Sequence, residues 1–313
     1  MKENINIRGK IFPSESLAEH TTFRIGGPAE LFIEPADEAE LIAVMEFLGK
    51  TGVPCFILGG GSNVVISDDG LEGAVISTAA LDSLSIDDGD REYAGDSGEL
   101  RIRAGSGCTM EKLLLRCREL SLSGLEEFAG LPGTVGGAVY MNARCYGRSV
   151  SDVLRSVTWF DRAAEKIREC RIDMDDWDYK KSPFQNREGV ILSAVMAVKK
   201  GKAEDIASLM ERYIRDREEK GHFRYPSAGS VFKNSREYGK PSGLIIDEAG
   251  LRGYAIGGAQ VAPWHGNIII NTGNASASDV ARLVGYIRNY VRGKTGFDLE
   301  PEILFAGPFQ DTE

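Results

Sequence analysis

The sequence has few of the residues that build metal centres or disulfide frameworks. Its three histidines, His20, His222 and His265, lie far apart, and its five cysteines (Cys55, Cys108, Cys117, Cys145 and Cys170) show no C-x-x-C spacing. An odd, scattered set of this kind reads as reduced thiols, so neither a disulfide scaffold nor a bound metal is expected. No apolar run approaches the roughly 20 residues that cross a bilayer. The opening MKENINIRGK lacks the apolar centre of a secretory signal. There is no Lys/Arg run, and the net charge of -10 argues against a nucleic-acid surface. The expectation is a cytoplasmic protein with no membrane or nucleic-acid partner. The acidic total does not exclude anionic small ligands, because a few local cations can hold a phosphate.

The common catalytic signatures are missing too. The dinucleotide fingerprint G-x-G-x-x-G fails after Gly59 and Gly61, because Val64 stands in its third position. Gly293-Lys294-Thr295 looks like the end of a phosphate-binding P-loop, but Arg288 occupies the place of its first glycine. No H-E-x-x-H occurs, and no G-x-S-x-G elbow with a histidine partner is evident.

What the chain does have is glycine in two concentrated places. Gly130 to Asn142 reads GLPGTVGGAVYMN, and Gly59 to Asn63 reads GGGSN directly after the apolar run Val53 to Leu58. Glycine at the density of the first stretch disfavours both helix and strand. Gly133, Gly136 and Gly137 suit backbone that passes close to something flat or anionic with its N–H groups turned inward. Two such turns suggest a large nucleotide cofactor held along much of its length.

At 313 residues the chain can hold two or three domains with real cores. Around them the pattern is mixed. LFIEP is a short strand ended by Pro35. Asp37 and Glu40 form a capping pair for a helix with Leu41, Val44, Met45 and Leu48 on one face, stopped by Gly49 and Gly52. Val53–Leu58, Val64–Ile66 and Ala74–Ile76 read as strands. A polar insert over 82–98 is expected as surface hairpin and linker. Leu100, Ile102 and Ala104 alternate as a strand, and Thr109 caps a helix with Leu113, Leu114, Cys117 and Leu120 inward. Strands are expected near Val153–Phe160 and Val190–Val198, without the βαβ rhythm of a doubly wound sheet. From Glu204 a helix turns Ile206, Leu209, Met210, Tyr213 and Ile214 to one side. A last helix, capped by Ser278, carries Val280, Leu283, Val284, Ile287 and Val291. The tail DLEPEILFAG reads as a strand that pairs back into a sheet.

Six blocks in this order, HTTFRIGG, LGGGSN, GLPGTVGGAVYMN, YPSAGSVFKN, GLIIDEAGLRGYAIGGAQV and LEPEI, make the chain resemble the UDP-N-acetylenolpyruvoylglucosamine reductases from about His20 to Gly307. The resemblance implies an α+β (mixed α/β) protein with an FAD-binding fold of the vanillyl-alcohol-oxidase type. Two FAD-binding subdomains are implied, 1–80 and 81–203 with 298–313 returning to them, and a substrate-binding domain, 204–297. It implies FAD and NADPH as cofactors and UDP-N-acetylglucosamine enolpyruvate as substrate, reduced to UDP-N-acetylmuramate for peptidoglycan synthesis by a monomeric enzyme.

By the same resemblance, FAD contacts fall to Thr22, Arg24, Gly26, Gly59, Gly60, Gly61, Ser62, Asn63, Gly130, Pro132, Gly133, Thr134, Gly136, Gly137, Ala138 and Asn142. Ser230 takes the position of the proton donor and Glu302 that of the catalytic glutamate. A serine hydroxyl is a weak acid, so it needs a polarising environment or a relay. Lys180 stands where the family usually has a catalytic arginine, in Tyr179-Lys180-Lys181-Ser182. It keeps the charge and loses the planar fork that grips a carboxylate. A second departure is Arg144-Cys145, where Gly-Ala is usual. Tyr179, Lys233, Asn234 and Gln260 are expected at the substrate. Two alternatives accompany this reading: an FAD-binding paralogue with impaired catalysis, and an FAD oxidase or dehydrogenase acting on another sugar or alcohol.

Overall fold

The computed structural model describes residues 7–86 and 99–309, so most of the insert expected over 82–98 lies outside the described residues. The chain opens with strands β1 (Lys10–Ser16) and β2 (Pro28–Glu34), helix α1 (Glu38–Thr51), and strands β3 (Cys55–Leu58), β4 (Val64–Ile66) and β5 (Leu71–Ser77). Asp37 caps α1 by accepting the Glu40 N–H at 3.0 Å, and Leu41, Val44, Met45 and Leu48 are its buried face. Gly52 ends the helix with φ 67°, while Gly49, expected as a stop, lies inside the last turns. One internal glycine costs a helix only about 1 kcal/mol, which the packing of the buried face outweighs.

Next come β6 (Leu84–Ile86), β7 (Glu99–Gly105), α2 (Met110–Glu119), β8 (Leu122–Ser123), α3 (Val135–Tyr140), the hairpin β9 (Arg144–Cys145) and β10 (Arg148–Ser149), and then β11 (Leu154–Asp161), β12 (Lys166–Arg171) and β13 (Gly189–Lys200). The expected cap of α2 is present, Thr109 accepting the Lys112 N–H at 3.1 Å. The last part holds α4 (Ala203–Glu219), β14 (Ser227–Ser230), α5 (Ser242–Glu248), β15 (Ala255–Ile256), β16 (Ala259–Val261), β17 (Ile268–Asn271), α6 (Ala277–Thr295) and β18 (Leu304–Ala306).

β1, β2, β5 and β3 form one sheet in that order. A second, six-stranded, runs β12-β11-β13-β7-β6 with β8 also paired to β13, and its pairings are antiparallel, as expected for a chain without βαβ rhythm. A third runs β14-β17-β16-β15, and the tail strand β18 pairs in parallel with β4, Phe305 opposite Val65.

The backbone divides into two compact units. Among the described residues, the first comprises 7–11, 33–60, 76–86 and 99–216, and the second 12–32, 61–75 and 217–309. A large core in the first gathers α2, α3 and the inner face of the six-stranded sheet around Phe128, Val139 and Met196. A core in the second gathers Phe23, Phe232, Ile246, Leu283 and Ile287.

Two local expectations change. The cap of α6 is Ser276, not Ser278. Ser276 Oγ accepts the Asp279 N–H at 3.0 Å, and the Asp279 carboxylate accepts the Ser276 N–H at 3.2 Å. Ser278 instead donates its hydroxyl to Asp68 at 2.7 Å, and that carboxylate also takes the N–H groups of Ala277 and Ser278. The second change is α3, a helix running through the glycine-dense stretch that local propensity disfavours. Its cause is tertiary: Gly136 donates its N–H to Ser106 O at 2.8 Å, and a Cβ on Gly136 would stand 2.8 Å from Ser106 Cβ.

Candidate active site

In the first unit two glycine turns meet backbone to backbone. Gly59 and Gly60 leave β3 and approach Gly133 and Thr134, the entry to α3. A Cβ on Gly60 would lie 2.6 Å from Gly133 Cα, and one on Gly59 would lie 2.7 Å from Thr134 Oγ1. Side chains at either position would force the turns apart. Thr134 caps α3 by accepting the Gly137 N–H at 3.4 Å, and the turn is tied to the Ser106–Thr109 loop by Met110 N–H to Gly133 O (3.1 Å) and Val135 N–H to Cys108 O (2.8 Å). Among the described residues no acceptor takes the N–H of Gly59 or Gly60. The result is a rigid strip of bare backbone donors, which suits a pyrophosphate. A dinucleotide cofactor fits this donor set.

The same unit presents Lys180 at the tip of a tight turn. Asp178 and Lys181 pair across it, Lys181 N–H reaching Asp178 O at 3.0 Å, and Lys180 holds φ at 58°. Gln185 Nε2 donates to Lys180 O at 3.1 Å, and Asn142 Nδ2 donates to Asp178 O at 2.9 Å. Asn142 Oδ1 accepts the Ser151 N–H, so this buried side chain is spent inside the protein. Ser182 and Gln185 both donate to Tyr140 O, joining the Lys180 turn to the end of α3. The hairpin bearing Arg144-Cys145 reaches α4 through Tyr146, whose hydroxyl donates to Asp216 at 2.8 Å.

In the second unit Ser230 ends β14. Gly229 before it has φ 75°, a left-handed conformation that glycine takes without strain. Ser230 pairs with Ile268 of β17, and an extra residue is inserted between this pair and Ser227–Ile270. Bulges of this kind re-aim the side chains beside them. Among the described residues no group hydrogen-bonds Ser230 Oγ. Glu302, buried, comes to the same place: its N–H donates to Val231 O at 2.7 Å, while Phe232 bridges Pro301.

Other expected residues are placed as follows. Thr22 donates its hydroxyl to Ser227 O at 2.8 Å and its N–H to Gly61 O at 3.1 Å, linking the first residue of β14 to the GGGSN turn. Arg24 has φ 55° and Gly26 φ 145° in a turn held by Asn271 Nδ2 on Phe23 O. A Cβ on Gly61 would meet His20 O at 2.1 Å. Asn63 turns its amide to Glu302 O. Lys233 is held by Glu300 at 2.7 Å, Asn234 Oδ1 accepts the Ser242 N–H at 2.8 Å, and Gln260 Nε2 donates to Gly253 O at 3.0 Å. The residues that sequence reasoning missed are Gln185 and the holding role of Asn142. Their partners are backbone groups five or more residues away, for which a single sequence carries no signal.

The fold and the glycine cradle define a flavin-binding protein, and a model described as the FAD binding domain matches residues 29–171. A second, the C-terminal domain of UDP-N-acetylenolpyruvoylglucosamine reductase, matches residues 221–306. UDP-N-acetylenolpyruvoylglucosamine reductase of Treponema denticola is 47% identical over 92% of this chain and 90% of its own length. That of Treponema pallidum is 41% identical over 93% and 92%. The crystal structure of the Thermus caldophilus enzyme superposes with a TM-score of 0.77, at 29% identity, over 96% of this chain and all of that one. The chain belongs to the UDP-N-acetylenolpyruvoylglucosamine reductase family.

Proposed function

We propose that this protein is the NADPH-dependent flavoenzyme that reduces UDP-N-acetylglucosamine enolpyruvate to UDP-N-acetylmuramate for peptidoglycan synthesis, acting as a cytoplasmic monomer. The observation that supports the assignment of roles is the hydrogen bond from Glu302 N–H to Val231 O, which brings the backbone of buried Glu302 beside the strand end bearing Ser230. Gly59, Gly60 and the 133–137 turn would hold FAD through backbone N–H groups. The chemistry that FAD would supply there is hydride transfer, from NADPH to C3 of the enolpyruvyl group.

This chain's own residues supply the rest. Negative charge that grows at C2 and on the adjacent carboxylate favours a nearby cation, the role given to Lys180. Ser230 delivers a proton to C2 from an oxygen that no other group holds among the described residues. Glu302 polarises that hydroxyl or re-protonates it, because an isolated serine is too weak an acid. Lys233 offers charge to the diphosphate, which must displace or share its contact with Glu300. We read 204–297 as the part that binds substrate.

The test is anaerobic stopped-flow absorbance on FAD-loaded protein, reduced with NADPH and then mixed with the enolpyruvyl nucleotide. Rapid return of the oxidised flavin spectrum is expected. A flavin that accepts electrons from NADPH and stays reduced with this nucleotide would sink the assignment. It would favour a flavin-binding relative whose catalysis is impaired at Lys180.

A further inference from the structure

Asn267 spends its backbone carbonyl and both polar atoms of its side chain on the segment that follows Ser230. Its backbone carbonyl accepts the Val231 N–H at 2.9 Å. Its Oδ1 accepts the Phe232 N–H at 2.9 Å, and its Nδ2 donates to Phe232 O at 2.8 Å. The side chain therefore imitates a strand neighbour, pairing both ways with one residue just where β14 has left its register with β17. The Val231 carbonyl is the one that holds the Glu302 N–H. Asn267 is itself fixed: its N–H donates to His265 Nδ1 at 3.1 Å, and the turn lies against α5, where a Cβ on Gly243 would meet Asn267 Cβ at 3.4 Å. The residue is buried, so water cannot replace these bonds.

We propose that Asn267 is a positioning residue, whose carboxamide fixes the strand end carrying Ser230 and the Glu302 backbone and so sets where the Ser230 hydroxyl delivers its proton. The inference rests on the reaction proposed above. A bulged, glycine-preceded strand end has few hydrogen bonds of its own to hold its direction. Catalytic groups need placement within a fraction of an ångström, and a supporting side chain commonly supplies it. Asn267 bonds both residues that follow Ser230, Val231 through its backbone carbonyl and Phe232 through its carboxamide.

Two variants separate positioning from bulk stability. Asn267→Asp keeps the shape and the acceptor for the Phe232 N–H but sets a carboxylate oxygen against Phe232 O. Asn267→Ala removes both bonds. With FAD-loaded proteins, reduction by NADPH should stay within about twofold of wild type, and reoxidation at saturating enolpyruvyl nucleotide should slow by at least about tenfold. Combined with Ser230→Ala, Asn267→Asp should add less than about twofold further slowing, since residues acting through one another are not additive. Hydrogen exchange should show the Phe232 amide losing protection in Asn267→Ala and keeping it in Asn267→Asp. Equal slowing of both half-reactions, or full additivity with Ser230→Ala, would overturn the inference, as would failure of both variants to fold. A wild-type protein that the enolpyruvyl nucleotide does not reoxidise would defeat the functional reading itself, and the inference with it.

Discussion

The side-chain amide of Asn63 donates to the backbone carbonyl of Glu302 at 3.0 Å, joining positions 239 residues apart. Leu304 N–H returns the contact to Asn63 O, also at 3.0 Å, and the chain then runs into β18 alongside β4. The asparagine of the GGGSN turn thus pins the backbone of Glu302, the residue proposed above as the catalytic glutamate. A short side chain spent on a carbonyl in this way is not available to bind phosphate with the same N–H.

Asn63→Ala should therefore act on Glu302 first. Leaving a part-buried carbonyl without its donor costs about 1 to 2 kcal/mol, visible as a lower urea midpoint with unchanged slope. FAD affinity, read by fluorescence titration of the apoprotein, should fall by less than about threefold, under 1 kcal/mol. A much larger loss of FAD affinity with full stability would mean that the Asn63 amide serves the cofactor.

The two helical glycines of α3 should respond in opposite ways. A Cβ on Gly136 would meet Ser106 Cβ at 2.8 Å and Ser106 O at 3.0 Å, so Gly136→Ala should destabilise the apoprotein by roughly 1 to 3 kcal/mol. A Cβ on Gly137 meets only Thr134 Oγ1, at 3.6 Å. Gly137→Ala should leave the apoprotein as stable as wild type or up to about 1 kcal/mol more so, since alanine suits a helix better. If Gly137 lies along the cofactor, that same variant should bind FAD at least about tenfold more weakly, a loss of about 1.4 kcal/mol. Undiminished FAD binding by Gly137→Ala would remove this residue from the cofactor surface.

Much of this was legible beforehand, and the failures share one cause. Periodicity and caps gave α1, α2 and α4 their place because each signal lies within a few residues of the element it governs. The six motif blocks carried the family, and with it the flavin fold. Helix α3 was missed because Gly136 answers to Ser106, some thirty residues upstream. The cap of α6 was misplaced because two serines stand two residues apart, and only Asp68, from a distant loop, decides which of them is free to cap. The side chains of Asn142, Asn234 and Gln260, which the motifs put at cofactor or substrate, each also have a hydrogen bond inside the protein that no local pattern announces.

Acid should weaken the fold through a cluster at the start of α1. Burial pushes the Glu40 carboxyl up, but the N–H groups of Ala36, Arg8 and Gly9 and the Arg8 guanidinium outweigh that and bring it from 4.5 down to about 2. A carboxyl held lower in the folded state than in the unfolded one binds fewer protons when folded. Its contribution is complete above pH 4.5 and is lost as pH falls toward 2. Asp279, lowered by the N–H groups of Gly258 and Ser276 and by Arg282 against a burial that raises it, acts with the same sign. Urea midpoints measured across this window should fall with pH, and Glu40→Gln should flatten part of the slope. An unchanged slope in that variant would show that the cluster does not titrate with folding.

Lys180 offers the sharpest test of the altered motif. A non-glycine residue in a left-handed conformation costs roughly 1 to 3 kcal/mol, and the turn sustains it because Asp178, Lys181, Gln185 and Asn142 leave the backbone no alternative. The strain is independent of what the side chain carries at its end. Lys180→Met and Lys180→Arg should accordingly unfold within about 1.5 °C of wild type, a difference of no more than about 1 kcal/mol for a chain this long. Their chemistry should part. Removing a charge aimed at a developing anion costs on the order of 10²- to 10³-fold, so Lys180→Met should slow reoxidation by the enolpyruvyl nucleotide by that factor while NADPH still reduces the flavin. Lys180→Arg keeps the charge and restores the fork, and should match or exceed wild type. If Lys180→Met reoxidises as fast as wild type, the cation that meets the developing charge lies elsewhere in the chain, and the lysine is no more than the tip of a tight turn.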